Sequence, residues 1–117
     1  MLERKVIVTY EAINDIVDAE EYIRYSFGPE KAFEYRNSIF NELKSLSITA
    51  GSYANSGFKY KGYTIYKKPF HPAIIFWVII NEEVHILRVP REEYNWQKFF
   101  KENQYSEYSY PENSTVN

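Results

Sequence analysis

The stretch from Tyr63 to Arg91 constrains the fold more than any other part of the chain. Two strongly β-prone runs, Ala73 to Ile80 and Val84 to Val89, flank the short polar turn Asn81-Glu82-Glu83. Runs joined this closely form an antiparallel hairpin. Ala73 to Ile80 is apolar on both parities, which predicts a central strand covered on both faces. Tyr63 to Lys68 alternates and reads as a half-exposed strand. Pro69 and Pro72 bracket the connection that follows, since neither can donate to a ladder. Phe58 to Lys61 is either a short edge strand or the start of the next one. The last strand ends in a basic elbow, Arg88-Val-Pro-Arg91.

What precedes this run narrows the architecture. Arg4 to Thr9 is rich in β-branched residues and reads as a strand. A helix is expected from about Ala12 to Phe27. Its stripe is Ile13, Ile16, Val17, Ile23 and Phe27, interrupted by Glu20. Spacings of three and four put these on one face. Asp15, Asp18, Glu21 and Arg24 then face away, as a solvated acidic side. Gly28 stops the helix, and Pro29 suits the first turn of the next. The second helix runs from about Glu30 to Leu46, with Ala32, Phe33, Arg36, Ile39, Phe40, Leu43 and Leu46 as its stripe. So short a connection makes the pair an antiparallel hairpin that needs a sheet to cover. Ser47 to Gly57 reads as a loop. Tyr94 to Lys101 places Trp96, Phe99 and Phe100 at helical spacing, for a short helix packing back on the sheet. From Gln104 to Asn117 the chain is mostly Ser, Tyr, Glu and Asn, and a loose tail is expected. The fold class is therefore α+β, in the order β-α-α-β-β-β. A two-helix hairpin lies on one face of a small, mainly antiparallel sheet, followed by a short helix and tail. Residues 1–103 form one domain and residues 104–117 the tail.

The 117 residues suit one domain, and they include no cysteine. Disulfides and thiolate chemistry are thereby excluded. No apolar run approaches the roughly 18–20 residues of a membrane span, so a cytoplasmic protein with no membrane partner is expected. Charge is uneven. Residues 1–56 carry a net −3, residues 57–101 a net +4 and residues 102–117 a net −3. Such asymmetry marks either an anion-facing surface or a scatter of solvated charges.

The order of elements resembles the RelE/ParE superfamily of toxins from type II toxin–antitoxin pairs, over roughly residues 5–100. The resemblance rests on Val-Ile-Val-Thr-Tyr-Glu-Ala-Ile-Asn-Asp-Ile near the start and on the helix pattern Ala32-Phe-Glu-Tyr-Arg-Asn-Ser-Ile-Phe-Asn-Glu-Leu. It rests most on Ile-Ile-Phe-Trp-Val-Ile-Ile-Asn-Glu-Glu-Val-His-Ile-Leu-Arg-Val-Pro-Arg, which is similar to the family's closing hairpin and basic end. The resemblance implies one of two activities. RelE-type members cut mRNA in the ribosomal A site, and ParE-type members inhibit DNA gyrase without cutting nucleic acid.

Metal-free RNA cleavage needs a group to activate the 2′-hydroxyl and charge to stabilise the phosphorane. RelE-type proteins resemble one another in paired lysines on the second main strand and an arginine on the third. Here the corresponding positions are Thr64 and Tyr66, and Ala73 to Ile80 holds no charge. Arg88 or Arg91 alone keeps the terminal basic position. Lys67 and Lys68 are adjacent, so on a regular strand they point to opposite faces. His71 is a candidate acid or base by residue type, and His85 reads as a satisfied sheet residue. Tyr94 and Trp96 stack on bases or a partner in one reading and join the core with Phe99 in the other. Two histidines without carboxylates at ligand spacing give no metal site, and no cofactor is implied.

The resemblance is thus ParE-like more than RelE-like. Lys67, Lys68, Arg88, Arg91, Tyr94 and Trp96 are expected to form the binding surface. Under the nuclease alternative Arg91, His71 and Lys68 are the catalytic candidates, with ribosome and mRNA as partners. Under the ParE-like reading the partners are DNA gyrase and a cognate antitoxin, forming a toxin–antitoxin hetero-oligomer. The helical hairpin and the open sheet edge are the expected docking surfaces. A toxin-fold protein without toxicity is the third reading.

Overall fold

A computed structural model describes residues 3–102 and 107–117. Its elements run β1 (Lys5–Val8), α1 (Tyr10–Phe27), α2 (Pro29–Thr49), a 3-10 turn (Ala50–Ser52), β2 (Ala54–Tyr60), β3 (Tyr63–Phe70), β4 (Ala73–Ile80), β5 (Glu83–Arg88) and α3 (Trp96–Glu102). The five strands form one sheet in the order β1-β5-β4-β3-β2. β1 lies parallel to β5, and the other neighbours are antiparallel. The helical hairpin between β1 and the later strands is what lets β1 enter in parallel, since such a pair needs a long crossover.

Alternation along β4 divides the core. Ala73, Ile75 and Trp77 face the helical hairpin together with Val6, Val8, Ile39, Leu43, Leu46, Val84 and Ile86. Phe76 and Val78 face the other way, with Tyr60, Ile65 and Leu87. α3 covers that outer face through Phe100, packed edge-on to Phe76 at 4.8 Å between centroids. The continuous apolar run of β4 is thus covered on both sides, as its sequence requires.

Thr9 fixes the start of α1. Its hydroxyl accepts from Ala12 N–H at 3.0 Å and donates to Leu87 O at 2.9 Å, and the residue is fully buried. The same side chain caps the helix and ties it to β5. Gly28 adopts φ 99° between the helices, a conformation that glycine takes without steric cost. The β4–β5 turn places Asn81 and Glu82 at φ 51° and 64°. Positive φ at both positions suits the right-handed twist of a two-residue hairpin.

Several expectations need correction. The buried stripe of α1 is Ala12, Ile16, Ala19, Glu20 and Ile23, while Val17 and Phe27 are exposed. Small alanines, invisible to a search for large apolar residues, carry the packing face. Glu20 is tolerated there because Arg24 bonds it at 3.1 Å. In α2 Phe33 and Arg36, both expected in the stripe, are exposed, and Tyr35 takes a core position. The region 47–57 is not one loop. α2 continues to Thr49 because Leu46, Ser47 and Ala50 remain buried, and β2 begins at Ala54. β2 is an edge strand with a register shift between Asn55 and Lys59, and this irregularity accommodates Gly57. Pro69 lies within β3, exposed and opposite Ile74, and the connection is His71-Pro72, joined by a cis peptide bond. Of the tail expected from residue 104, residues 104–106 lie outside the described residues; over 107–117 the chain crosses from the β2–β3 turn, and Ser114 to Val116 run beside the outer edge of β1. That edge has unpaired N–H groups for it to meet.

Candidate functional site

The acidic side of α1 is a receptor for the basic elbow. Arg88 Nε and Nη2 donate to the two carboxylate oxygens of Asp15 at 2.6 and 2.8 Å, and Val89 N–H donates to the same carboxylate at 2.9 Å. A β-bulge positions this fork: the β4–β5 register shifts so that Arg88 lies opposite Phe76 and Ile86 opposite Trp77. The guanidinium stacks over Phe99 at 4.1 Å. Burial works against the Arg88 charge, and the hydrogen bonds and charge of Asp15 outweigh it, so its pKa is raised.

Arg91 repeats the arrangement one turn along the helix. Its Nε donates to Asp18 at 3.1 Å, Nη1 pairs with Glu93 at 2.7 Å, and Nη2 donates to the Tyr94 hydroxyl at 2.7 Å. Tyr94 in turn donates to Asp18 at 3.2 Å. The Arg91 guanidinium lies 4.6 Å from the Tyr22 ring centroid. The hydrogen bond to Tyr94 leads the causes that raise its pKa. Asp15 and Asp18 are therefore ion-pair partners of the elbow rather than solvated side chains. Their pairing spans 73 residues, which no local spacing reveals.

The remaining cations do not join them. Lys68 reaches the helix face, where it bonds Glu42 and the Tyr53 hydroxyl, the latter at 3.0 Å. Burial lowers the Lys68 pKa, and these hydrogen bonds more than offset it, leaving a raised value. Such an ammonium holds its proton and is no base near neutrality. Lys67 points to the outer face and lies 5.0 Å from the Trp96 ring centroid. Trp96 itself packs against Phe58 and Phe76 at 5.9 and 4.9 Å. The six residues expected as one binding surface thus divide. Arg88, Tyr94 and Trp96 line a cavity of about 160 Å³, Arg91 borders a second cavity, and the two lysines lie on opposite faces. His71 is exposed at the β3–β4 turn beside Glu92. His85 lies in the sheet with its Nδ1 2.9 Å from the Tyr110 hydroxyl.

The second cavity is the larger, about 700 Å³. Its floor is Tyr22, Ile23, Phe27, Tyr35, Phe70 and Pro72, and Arg91, His71 and Glu92 stand on its rim. Sequence reading missed it because it lies between the hairpin tip and the β3–β4 turn, which are distant in the chain. Tyr35 is 6% exposed and its hydroxyl has no hydrogen-bond partner among the described residues. Burial, then the nearby Asp15 carboxylate, pushes its pKa upward; burial is also the leading cause for Tyr108.

Tyr35→Phe is therefore expected to be neutral or to stabilise the protein by up to about 1–3 kcal/mol, because it removes an unpaired buried hydroxyl. The raised phenols also set an alkaline limit. The unfolded chain releases these protons first, near pH ~10, so stability is complete below that pH and falls as pH rises above it. The loss is at most about 1.4 kcal/mol per pH unit per group. Denaturant melts of both proteins between about pH 8 and about pH 11 check this, with the shallower decline expected in Tyr35→Phe.

Among the described residues no group of three His, Asp or Glu side chains could hold a metal ion, and no helix is long and apolar enough to cross a membrane. No protein-family model matches the chain, and no curated protein matches it. Among solved structures, a chain of "Chromosomal ParDE TA system from P. aeruginosa" superposes with a TM-score of 0.66 at 22% identity, covering 80% of this chain and all of that one. The strand, helical hairpin and mixed sheet described above are thus the fold of a chain from that ParDE system.

Proposed function

We propose that this protein is the toxin of a type II toxin–antitoxin pair, ParE-like, which arrests growth by binding a target such as DNA gyrase and is neutralised by a cognate antitoxin. The shared fold supports the toxin reading. One observation carries the choice of binding over cleavage: Arg88, Arg91 and Lys68 are each engaged by a carboxylate of the same chain. A phosphoryl-transfer site needs cations free to meet the charge that develops in the transition state. Here Asp15, Asp18 and Glu42 already neutralise them. The RelE-type resemblance expects paired lysines at the positions of Thr64 and Tyr66, and Tyr66 is stacked on Trp77 at 6.0 Å. The apolar floor of the 700 Å³ cavity is instead suited to a protein side chain. The domain is residues 1–103, acting in the cytoplasm as part of a toxin–antitoxin hetero-oligomer.

Induced expression in a bacterial host tests the toxin reading. Growth arrest, relieved by co-expression of the antitoxin, is the expected result. Unimpaired growth at high expression of folded protein would identify a toxin fold without toxicity.

A further inference from the structure

Residues 107–117 pass from the outer face of the sheet to the edge of β1. The Glu107 carboxylate pairs with Lys61 in the β2–β3 turn at 2.7 Å. Tyr108 meets Tyr60 edge-on at 5.1 Å, and Ser109 O accepts from Tyr10 N–H at 2.9 Å. Beyond Pro111 the segment lies antiparallel to β1, with Thr115 opposite Ile7. Val8 N–H donates to Ser114 O at 2.8 Å, and Val116 N–H donates to Val6 O at 2.9 Å. Asn117 completes the pairing through its side chain, which accepts from Val6 N–H and donates to Arg4 O, both at 2.8 Å.

Upstream, Tyr108 packs against the outer-face core and Ser109 N–H and Oγ donate to the Glu11 carboxylate, but along β1 itself the hold is slight for a strand position. Val116 is the one aliphatic side chain in residues 107–117, and it is half-buried against the helix-face core. The rest is Glu, Tyr, Ser, Pro, Asn and Thr. Such a composition buries too little to fix a conformation by itself. The edge supplies the order, and a sheet edge pairs with any extended chain of suitable pattern.

We propose that the outer edge of β1 is a strand-addition site for an extended, acidic segment of a protein partner, and that residues 107–117 hold its place. The recognition has three parts. Backbone pairing engages Val6, Val8 and Tyr10. A β-branched side chain seats where Val116 sits. A carboxylate meets Lys61. Residues 107–117 carry two glutamates and no lysine or arginine, and β1 begins at the exposed Lys5. That the incoming segment belongs to an antitoxin rests on the function proposed above; the exchange at the edge does not.

The test uses the full chain carrying Val116→Asp, probed with a synthetic peptide of the natural sequence 107–117. In the variant, the amides of Val6 and Val8 are expected to exchange with solvent at least about tenfold faster, since the place-holder is unseated. The peptide is expected to bind the variant one-to-one and restore protection. It should bind the unsubstituted chain at least about tenfold more weakly, because the tethered tail competes at high effective concentration. Should Val116→Asp prevent folding, the exposed Asn117→Ala serves, with faster exchange expected at Val6 than at Val8. Unchanged exchange at these amides would overturn the proposal. So would a peptide that binds both chains alike or does not bind the freed edge. None of these readouts depends on growth or gyrase, so the toxin reading and this one fail separately.

Discussion

Replacing Asp15 with alanine is expected to destabilise the protein by about 3–5 kcal/mol, the range for removing one partner of a buried ion pair. Asp15 accepts three hydrogen bonds and its side chain is 12% exposed. Its loss leaves the Arg88 guanidinium, 20% exposed, without its counter-charge and Val89 N–H without an acceptor. Removing both charges, as Asp15→Ala with Arg88→Met, is expected to recover part of the loss, because the uncompensated charge is the costly element. Urea titrations of the two single variants and the double variant check both statements. If the stability lost in the single variants adds in the double, the pair is not coupled.

Trp77→Ala is expected to cost about 3–5 kcal/mol, as for a large aromatic removed from a core. Trp77 is completely buried at the centre of β4. It stacks on Tyr66, meets Tyr53 edge-on at 5.6 Å and donates from Nε1 to Ala50 O at 3.2 Å. One side chain thereby joins β4, β3 and the turn after α2. A domain of this size is stable by only about 5–15 kcal/mol, so the variant approaches unfolding. Trp77→Phe keeps most of the apolar area but leaves the Ala50 carbonyl unpaired, and an intermediate loss is expected. Thermal melts followed by far-UV circular dichroism separate the three proteins.

Much of this architecture is legible in the residues, for identifiable reasons. β4 is bounded as its apolar run suggests, because a strand covered on both faces leaves no ambiguity of pattern. Gly28 marks the helix boundary because the chain there takes a positive φ. Sequence reading fails where one partner is small or remote. Ala12 and Ala19 set the phase of α1, so the larger Val17 and Phe27 misplace it. β2 is concealed by Gly, Ser and Asn, which an edge strand tolerates because half its surface meets solvent. For the candidate site, the residue types on the elbow are legible but their state is not. Asp15 and Asp18 have the spacing of a solvated helix face and become counter-ions only when the fold brings β5 beside α1. The separation of Lys67 from Lys68 follows from strand alternation alone.

Arg88 and Arg91 of the basic elbow are paired with Asp15 and Asp18, and the proposed function is binding without cleavage. Purified protein added to gyrase supercoiling reactions and to programmed ribosomes, with mRNA ends mapped in the second, tests it most directly. The account predicts inhibited supercoiling and intact mRNA. Cleavage of ribosome-bound mRNA that disappears in Arg91→Ala would contradict it.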